Sequence, residues 1–139
     1  MIITTKHVQA AMPVTIMKLE GDLDAKWYQD VIVEVKELFD SGTRDLLVDM
    51  ANLRFMASSG LVALHSAALI MRGEKPQDTS VSWSVFRTDH VRISSDSMLE
   101  EHCKLLNPSP RVLKTLELAG FNQVFEIFDD EEAALSSFG

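Results

Sequence analysis

Apolar and polar positions along the first part of the chain alternate between the pattern of strands and the pattern of helices. Two short strand-like runs cover residues 2–8 and 14–20, with Pro13 between them. Proline lacks the N–H that a central strand needs, so Pro13 fits a connection or a strand start. Glycine and aspartate then interrupt the apolar pattern at residues 21–24, which predicts a turn.

Two helices follow from the spacing of apolar residues. Between residues 28 and 39 the apolar positions recur at offsets of 3, 4, 7, 10 and 11, which is one helical stripe. Asp24 is a candidate cap for its start, and Gly42 stands where it would end. The second helix is predicted from Ser58 to Arg72. It is apolar almost all round, so it either lies deep in the fold or offers one face to a partner.

The connections around the second helix differ in composition. Residues 45–50 include Leu-Leu-Val without alternation, as expected for a strand covered on both faces, and residues 51–57 read as a turn. Residues 73–101 are rich in Ser, Thr, Asp and Glu and are interpreted as an insertion. Inside them, alternation at residues 81–93 is compatible with a hairpin, followed by a short helix from Ser97, and a loop is an equal alternative.

The regular pattern resumes near the end of the chain. Residues 103–107 predict a strand, and Ser109-Pro110 predicts the start of a helix that ends at Gly120. Residues 123–128 predict the last strand, and the acidic residues 129–132 open a final helix. The resulting order predicts a single α/β domain over residues 1–139, with a mixed, mostly parallel sheet of about five strands and four helices.

Net charge and cysteine content narrow the range of functions. Thirteen Lys and Arg against 21 Asp and Glu give a net charge of −8, which disfavours nucleic acids and anionic membranes as partners. The longest apolar run, residues 61–71, is interrupted by His65 and Ser66 and is too short to span a membrane. The single cysteine, Cys103, and the absence of a secretory pattern at the N-terminus indicate a cytoplasmic protein.

Metal, cofactor and hydrolase sites are disfavoured by spacing. The four histidines show no close repeat that would bind a metal, and there is no glycine-rich phosphate loop. Ser58 and His65 lie close in sequence, but seven helical residues span roughly 10 Å, whereas a nucleophile and its base need about 2.6–3.2 Å. A serine hydrolase is therefore the weakest hypothesis, and we expect a non-enzymatic protein without metal or cofactor.

Ser58 and the pair Asp22 and Asp24 remain as candidate functional residues. A serine before a helix is most often a cap, and a carboxylate pair at a turn is most often structural. Alternatively, Ser58 is a phosphoacceptor whose phosphate lies at a helix N-terminus. Such a phosphate would add about −1.5 to −2 charge beside an apolar helix and so control partner binding.

The sequence resembles the STAS family, the fold of bacterial anti-sigma factor antagonists. The resemblance spans about residues 1–72 and 102–139. It rests on four stretches in family order: residues 19–24 (LEGDLD), 46–50 with 55–61 (LLVDM and FMASSGL), 105–112 (LLNPSPRV) followed by Leu116 and Gly120-Phe121, and 125–135.

The resemblance implies a partner-switching role. Ser58 matches the serine that is phosphorylated by a partner kinase which doubles as the anti-sigma factor. The unphosphorylated protein binds the kinase. Phosphorylation blocks this binding, and a serine phosphatase reverses that block. Partner contacts are implied at Asp22, Asp24, Ser58, Ser59 and the start of the second helix, Gly60 and Leu61. Oligomeric state does not follow from the resemblance.

One position departs from the family pattern. Ala57 stands where the family usually has aspartate. This departure favours an alternative hypothesis, in which the domain is a constitutive scaffold, or binds an ATPase as some STAS domains of lipid transporters do, without a phosphoswitch.

Overall fold

Five strands form one mixed sheet in the order β1-β2-β3-β4-β5. The structure is a computed structural model that describes residues 1–74 and 99–138. The outer strand β1 pairs antiparallel with β2, and every other neighbouring pair is parallel. The strand bounds are β1 Ile2–Gln9, β2 Pro13–Leu23, β3 Leu46–Met56, β4 Cys103–Leu106 and β5 Ile127–Phe128. The predicted fold class, α/β with a mixed and mostly parallel sheet, is confirmed.

Four α-helices connect or follow the strands within this part of the chain. They are α1 Tyr28–Asp40, α2 Ser58–Met71, α3 Pro110–Leu118 and α4 Glu131–Ser136, and a short 3₁₀ helix covers Phe121–Gln123. The order of strands and helices is the one that the sequence predicts. None of these helices combines the length and the apolar character needed to cross a bilayer.

The sheet separates two apolar clusters because successive strand residues point to opposite faces. Leu46 belongs to the larger cluster, which also contains side chains of α1, α2 and α3. Leu47 belongs to the smaller one, which contains Ala134 of α4 and Phe138. Three helices thus cover one face of the sheet, and the C-terminal helix covers part of the other.

Two of the predicted helix ends have the expected geometry. Gly42 follows α1 with φ of +117°, and its N–H donates to Phe39 O at 3.0 Å while Thr43 N–H donates to Leu38 O at 2.9 Å. This is the Schellman pattern that glycine favours. At the start of α3, Ser109 Oγ accepts a hydrogen bond from Val112 N–H at 3.3 Å.

The predicted turns at residues 21–24 and 51–57 are wrong for most of their length. β2 continues to Leu23 and β3 continues to Met56, and the two strands stay paired there. Gly21, with φ of +107°, lies at one of two irregularities in the pairing, and a bulge of this kind absorbs the misfit without ending the ladder. Residues 51, 52, 54 and 55 of this extension are exposed, so the local sequence lacks the continuous apolar pattern of a covered strand and resembles a turn.

The predicted last strand over residues 123–128 is also wrong in its first half. Phe125 N–H donates to Phe121 O at 2.8 Å, and this turn brings the two rings to a centroid distance of 5.7 Å. Both phenylalanines are buried. Rings four residues apart come this close only in a helical turn, because the same spacing in a strand separates the Cα atoms by about 13 Å. Only Ile127–Phe128 therefore remains to pair with β4.

Two smaller expectations have different outcomes. α1 begins after Trp27 rather than at Asp24; the backbone carbonyl of Asp24 instead accepts from Trp27 N–H at 3.1 Å and closes the turn before the helix. The possible hairpin over residues 81–93 and the helix start at Ser97 lie outside the described residues.

Candidate functional site

Ser58 is exposed at the first residue of α2. The preceding residue, Ala57, has extended backbone angles (φ −81°, ψ 172°) and makes no side-chain cap bond. Its N–H donates to Leu23 O at 2.9 Å, and its carbonyl accepts from Gly60 N–H at 2.8 Å. The end of the β2–β3 ladder therefore fixes the point where α2 begins, and Ser58 lies there on the solvent side.

The next two residues face inward. A Cβ added to Gly60 would lie 2.6 Å from Met56 Cγ and 3.0 Å from Leu23 Cγ, so the first turn of α2 rests directly on the ends of β2 and β3. Ser59 Oγ is enclosed and has no hydrogen-bond partner among the described residues. Of the motif Ser58-Ser59-Gly60, only Ser58 presents its side chain to solvent.

Asp22 and Asp24 lie at the same end of the sheet and have different neighbours. Asp22 is the register partner of Phe55, and its Oδ1 lies 3.5 Å from Arg54 Nε, with side chains 44% and 77% exposed respectively. Asp24 Oδ1 accepts from Lys26 N–H at 3.1 Å. The structure thus places Asp22 on the β2–β3 surface near Ser58 and uses Asp24 to shape the turn that follows.

Three residues at this end of the sheet were not identified from the sequence: Arg54, Phe55 and Arg111. Phe55 is one of the exposed large apolar residues, and the guanidinium carbon of Arg111 lies 5.3 Å from its ring centroid. Arg111 belongs to α3, which follows β4, so the contact joins elements that are far apart in sequence. No local pattern could have paired these residues, because the parallel neighbours β3 and β4 are separated by α2 and residues 73–101.

α2 lies deep in the fold, which is one of the two positions that its apolar composition allows. Ten of its 14 residues are buried. Apart from Ser58 and Ser59, only Leu61 and His65 are partly accessible, and with Ser58 they form one narrow strip along the helix. Burial, with the nearby Arg72 charge, lowers the pKa of His65 and favours its neutral form.

Two further groups with a shifted pKa, Cys103 and Glu100, lie away from Ser58. Burial raises the pKa of the Cys103 thiol at the start of β4, so the thiol stays protonated. Burial also raises the pKa of Glu100. Its carboxylate lies 3.7 Å from Nε of Arg72, the residue that follows the C-terminal end of α2. No three His, Cys, Asp or Glu side chains in residues 1–74 and 99–138 are grouped so as to hold a metal ion.

A cleft of about 740 Å³ lies at the opposite end of the sheet. It is lined by the end of β1, the start of β2 and the loop before β3, including Thr15 and Asp45, whereas Ser58 follows the carboxyl end of β3. Its polar groups bind one another: His7 Nδ1 lies 2.9 Å from Thr15 Oγ1, which lies 3.0 Å from Thr43 Oγ1. These contacts join β1, β2 and the loop before β3.

Comparisons with known proteins identify the fold. No family model matches the sequence, and a search of curated proteins finds no significant match. Among solved structures, an anti-sigma factor antagonist from Mycobacterium paratuberculosis is similar with a TM-score of 0.65 and 15% identity, covering 98% of this chain and 93% of that one.

Two SpoIIAA structures are also similar. The unphosphorylated anti-sigma factor antagonist SpoIIAA gives a TM-score of 0.61 at 17% identity, covering 94% of this chain and 93% of that one. The phosphorylated form of SpoIIAA, a Bacillus cell fate determinant, gives 0.55 at 17% identity, covering 96% and 97%. The chain therefore has the STAS fold of the anti-sigma factor antagonists.

Proposed function

We propose that this protein is a non-enzymatic partner-switching regulator in the cytoplasm. Unphosphorylated, it binds an anti-sigma factor that is also a serine kinase. Phosphorylation of Ser58 releases that partner, and a serine phosphatase restores binding. Asp22, Asp24, Ser58 and Leu61 contribute the contact surface, while Ser59 and Gly60 support it from below.

The observation that carries this proposal is the placement of Ser58. Its side chain is exposed at the start of a helix that is otherwise buried. The helix start rests on β2 and β3 through Gly60, and so the hydroxyl is held on a fixed surface rather than on a mobile loop. A fixed and exposed hydroxyl suits both a kinase and a surface that a partner covers. The existence of a phosphorylated form of SpoIIAA supports the same reading.

The charge introduced by phosphorylation is large enough for a switch. A phosphoserine carries about −1.5 to −2 charges, and it would lie on a surface that already includes Asp22. Moving a partner from 1% to 99% bound requires about 5.5 kcal/mol of differential affinity. Like-charge contact and desolvation in an interface amount to several kcal/mol, which is the required range.

Calorimetry with the kinase partner tests the proposal through substitutions of Ser58. We expect Ser58→Ala to bind as the wild type does and Ser58→Asp to bind at least tenfold more weakly, a difference of about 1.4 kcal/mol or more. Ser136→Asp is the matched control, because Ser136 is exposed on the remote helix α4. Equal affinities of the two Ser58 variants would end the switch hypothesis. A pull-down from native lysate with the same proteins identifies the partner by mass spectrometry.

The second candidate is a constitutive scaffold or an ATPase-binding subunit of a transporter with the same fold. The observation that favours it is Ala57, which offers no carboxylate beside Ser58 and no side-chain cap to α2. A phosphate-affinity gel of protein taken from cells separates the candidates. The switch requires a retarded band that disappears in Ser58→Ala, and the scaffold requires no such band under any growth condition.

A further inference from the structure

Two arginines flank the strand end that leads to Ser58. On the β2 side, Arg54 Nε lies 3.5 Å from Asp22 Oδ1. On the β4 side, the guanidinium of Arg111 lies over the Phe55 ring, 5.3 Å from its centroid. Phe55 precedes Ser58 by three residues, so their Cα atoms are at most about 11 Å apart. Arg54 lies on the strand that leads to Ser58, and Arg111 contacts that same strand through Phe55.

Neither arginine is tightly held by its present contact. The Arg54 side chain is 77% exposed and its partner carboxylate is 44% exposed, and exposed ion pairs of this kind contribute little to stability. Arg111 is likewise exposed, and its contact with the Phe55 ring takes up no hydrogen-bond acceptor, so its N–H donors are available to one. Both can therefore turn to a stronger acceptor at small cost.

We propose that Arg54 and Arg111 together receive the phosphate on Ser58, and that Arg54 exchanges Asp22 for the phosphate when it does so. This inference rests on the proposed phosphorylation of Ser58. Guanidinium groups bind phosphate oxygens through paired N–H donors and carry a permanent charge. The exchange leaves the Asp22 carboxylate unpaired on the contact surface, so phosphorylation changes two charges that a partner would meet.

The acidic composition of the chain makes the arginines necessary for this site. The net charge is −8, and a dianion added to an acidic surface has a raised pKa unless cations lie near it. Ala57 adds no charge of either sign. The second pKa of the phosphate therefore depends on the charges of Arg54, Arg111 and Asp22.

Phosphorus NMR of the full chain with phosphoserine installed at position 58 during translation tests the proposal. We expect the second pKa of the phosphate to lie below the usual value of about 6. Arg54→Gln and Arg111→Gln are each expected to raise it by about 0.7 pH unit or more, the effect of one charge in contact at about 4 Å in water. Asp22→Asn is expected to lower it, because a competing carboxylate is removed.

Lys114→Gln is the matched control. It removes one positive charge from the exposed face of α3, one turn beyond Arg111, and we expect a clearly smaller shift. Titrations that are the same in the wild type and both arginine variants, or a Lys114→Gln shift as large as theirs, would overturn the proposal. No kinase or partner is present in this measurement. Loss of partner switching would thus contradict the proposed function without changing this result, and the reverse also holds.

Discussion

The backbone N–H of Ala57 donates to Leu23 O at 2.9 Å, so the parallel pairing of β2 and β3 extends to the residue before Ser58. The pairing joins residues 19–24 and 55–61, two of the stretches that resemble the STAS family, into one surface. Asp22 and Phe55 are register partners in it, one pair before Leu23 and Met56, where the ladder ends. The candidate site is therefore a product of strand register rather than of a loop.

Gly60→Ala is expected to lower the free energy of unfolding by about 1–2 kcal/mol. The added methyl group would meet Met56 Cγ at 2.6 Å and Leu23 Cγ at 3.0 Å. Overpacking of this kind costs about 1–3 kcal/mol, and the better helix propensity of alanine returns up to about 1 kcal/mol. Urea denaturation measures the change. The double variant Gly60→Ala/Met56→Ala should be less destabilised than the sum of the single variants, and strict additivity would contradict a clash at this contact.

Ala57→Asp is expected to stabilise the protein by about 0.5–2 kcal/mol. Ala57 is the N-cap of α2, has the extended backbone angles of a cap residue and makes no side-chain cap bond. Aspartate at such a position accepts a hydrogen bond from the first turn and complements the helix dipole. Thermal and urea denaturation measure the gain. Ala57→Asn is the control for charge, since it caps without a carboxylate, and a fall in stability for both variants would contradict the assigned cap geometry.

Lys104→Met is expected to destabilise the C-terminal part of the fold by about 1–3 kcal/mol. Lys104 is 4% exposed, and its Nζ lies 3.0 Å from both Ser137 O and Ser137 Oγ and 3.1 Å from Glu126 Oε1. Methionine keeps the volume and loses these contacts. Hydrogen exchange should accelerate most in α4, and Lys114→Met, an exposed counterpart on α3, should change neither quantity. Unaltered exchange in α4 would contradict an anchoring role for Lys104.

Glu100→Gln is expected to become relatively more stable than the wild type as the pH rises above the ordinary glutamate pKa of about 4.3. Burial raises the pKa of Glu100, whose side chain is 11% exposed. Between its usual pKa and the raised one, the folded protein holds a proton that the unfolded chain releases. The wild type therefore loses stability as the pH rises through this window, and glutamine does not. Urea titrations at several pH values give the difference between the two proteins.

Glu101→Gln provides the comparison for this pH effect. Glu101 is adjacent in sequence and its side chain is 74% exposed. The stability difference between Glu101→Gln and the wild type should not follow the same course with pH. A Glu100→Gln difference that stays constant, or that moves in favour of the wild type with rising pH, would contradict a raised pKa.

Local patterns predict most elements of the fold and fail where tertiary contacts override them. The helical stripe from Tyr28 and the Ser109-Pro110 start give α1 and α3 correctly, because apolar spacing and capping chemistry act within one turn. The extension of β3 to Met56 is missed, since four of its six residues are exposed and the apolar pattern of a covered strand is absent. Residues 123–125 are wrongly predicted to be strand because their local pattern suits either structure, and only the packed core selects the turn.

The sequence by itself determines the α/β order and the glycines that end the helices, because each depends on contacts between residues close in the chain. Only the tertiary structure decides that α2 is buried with a narrow strip exposed, that Ser59 Oγ faces inward, and that Arg54 and Arg111 flank the strand end. These relations depend on the register of parallel strands, whose partners are separated by whole helices. No periodicity within a strand encodes which residue of a distant strand it will meet.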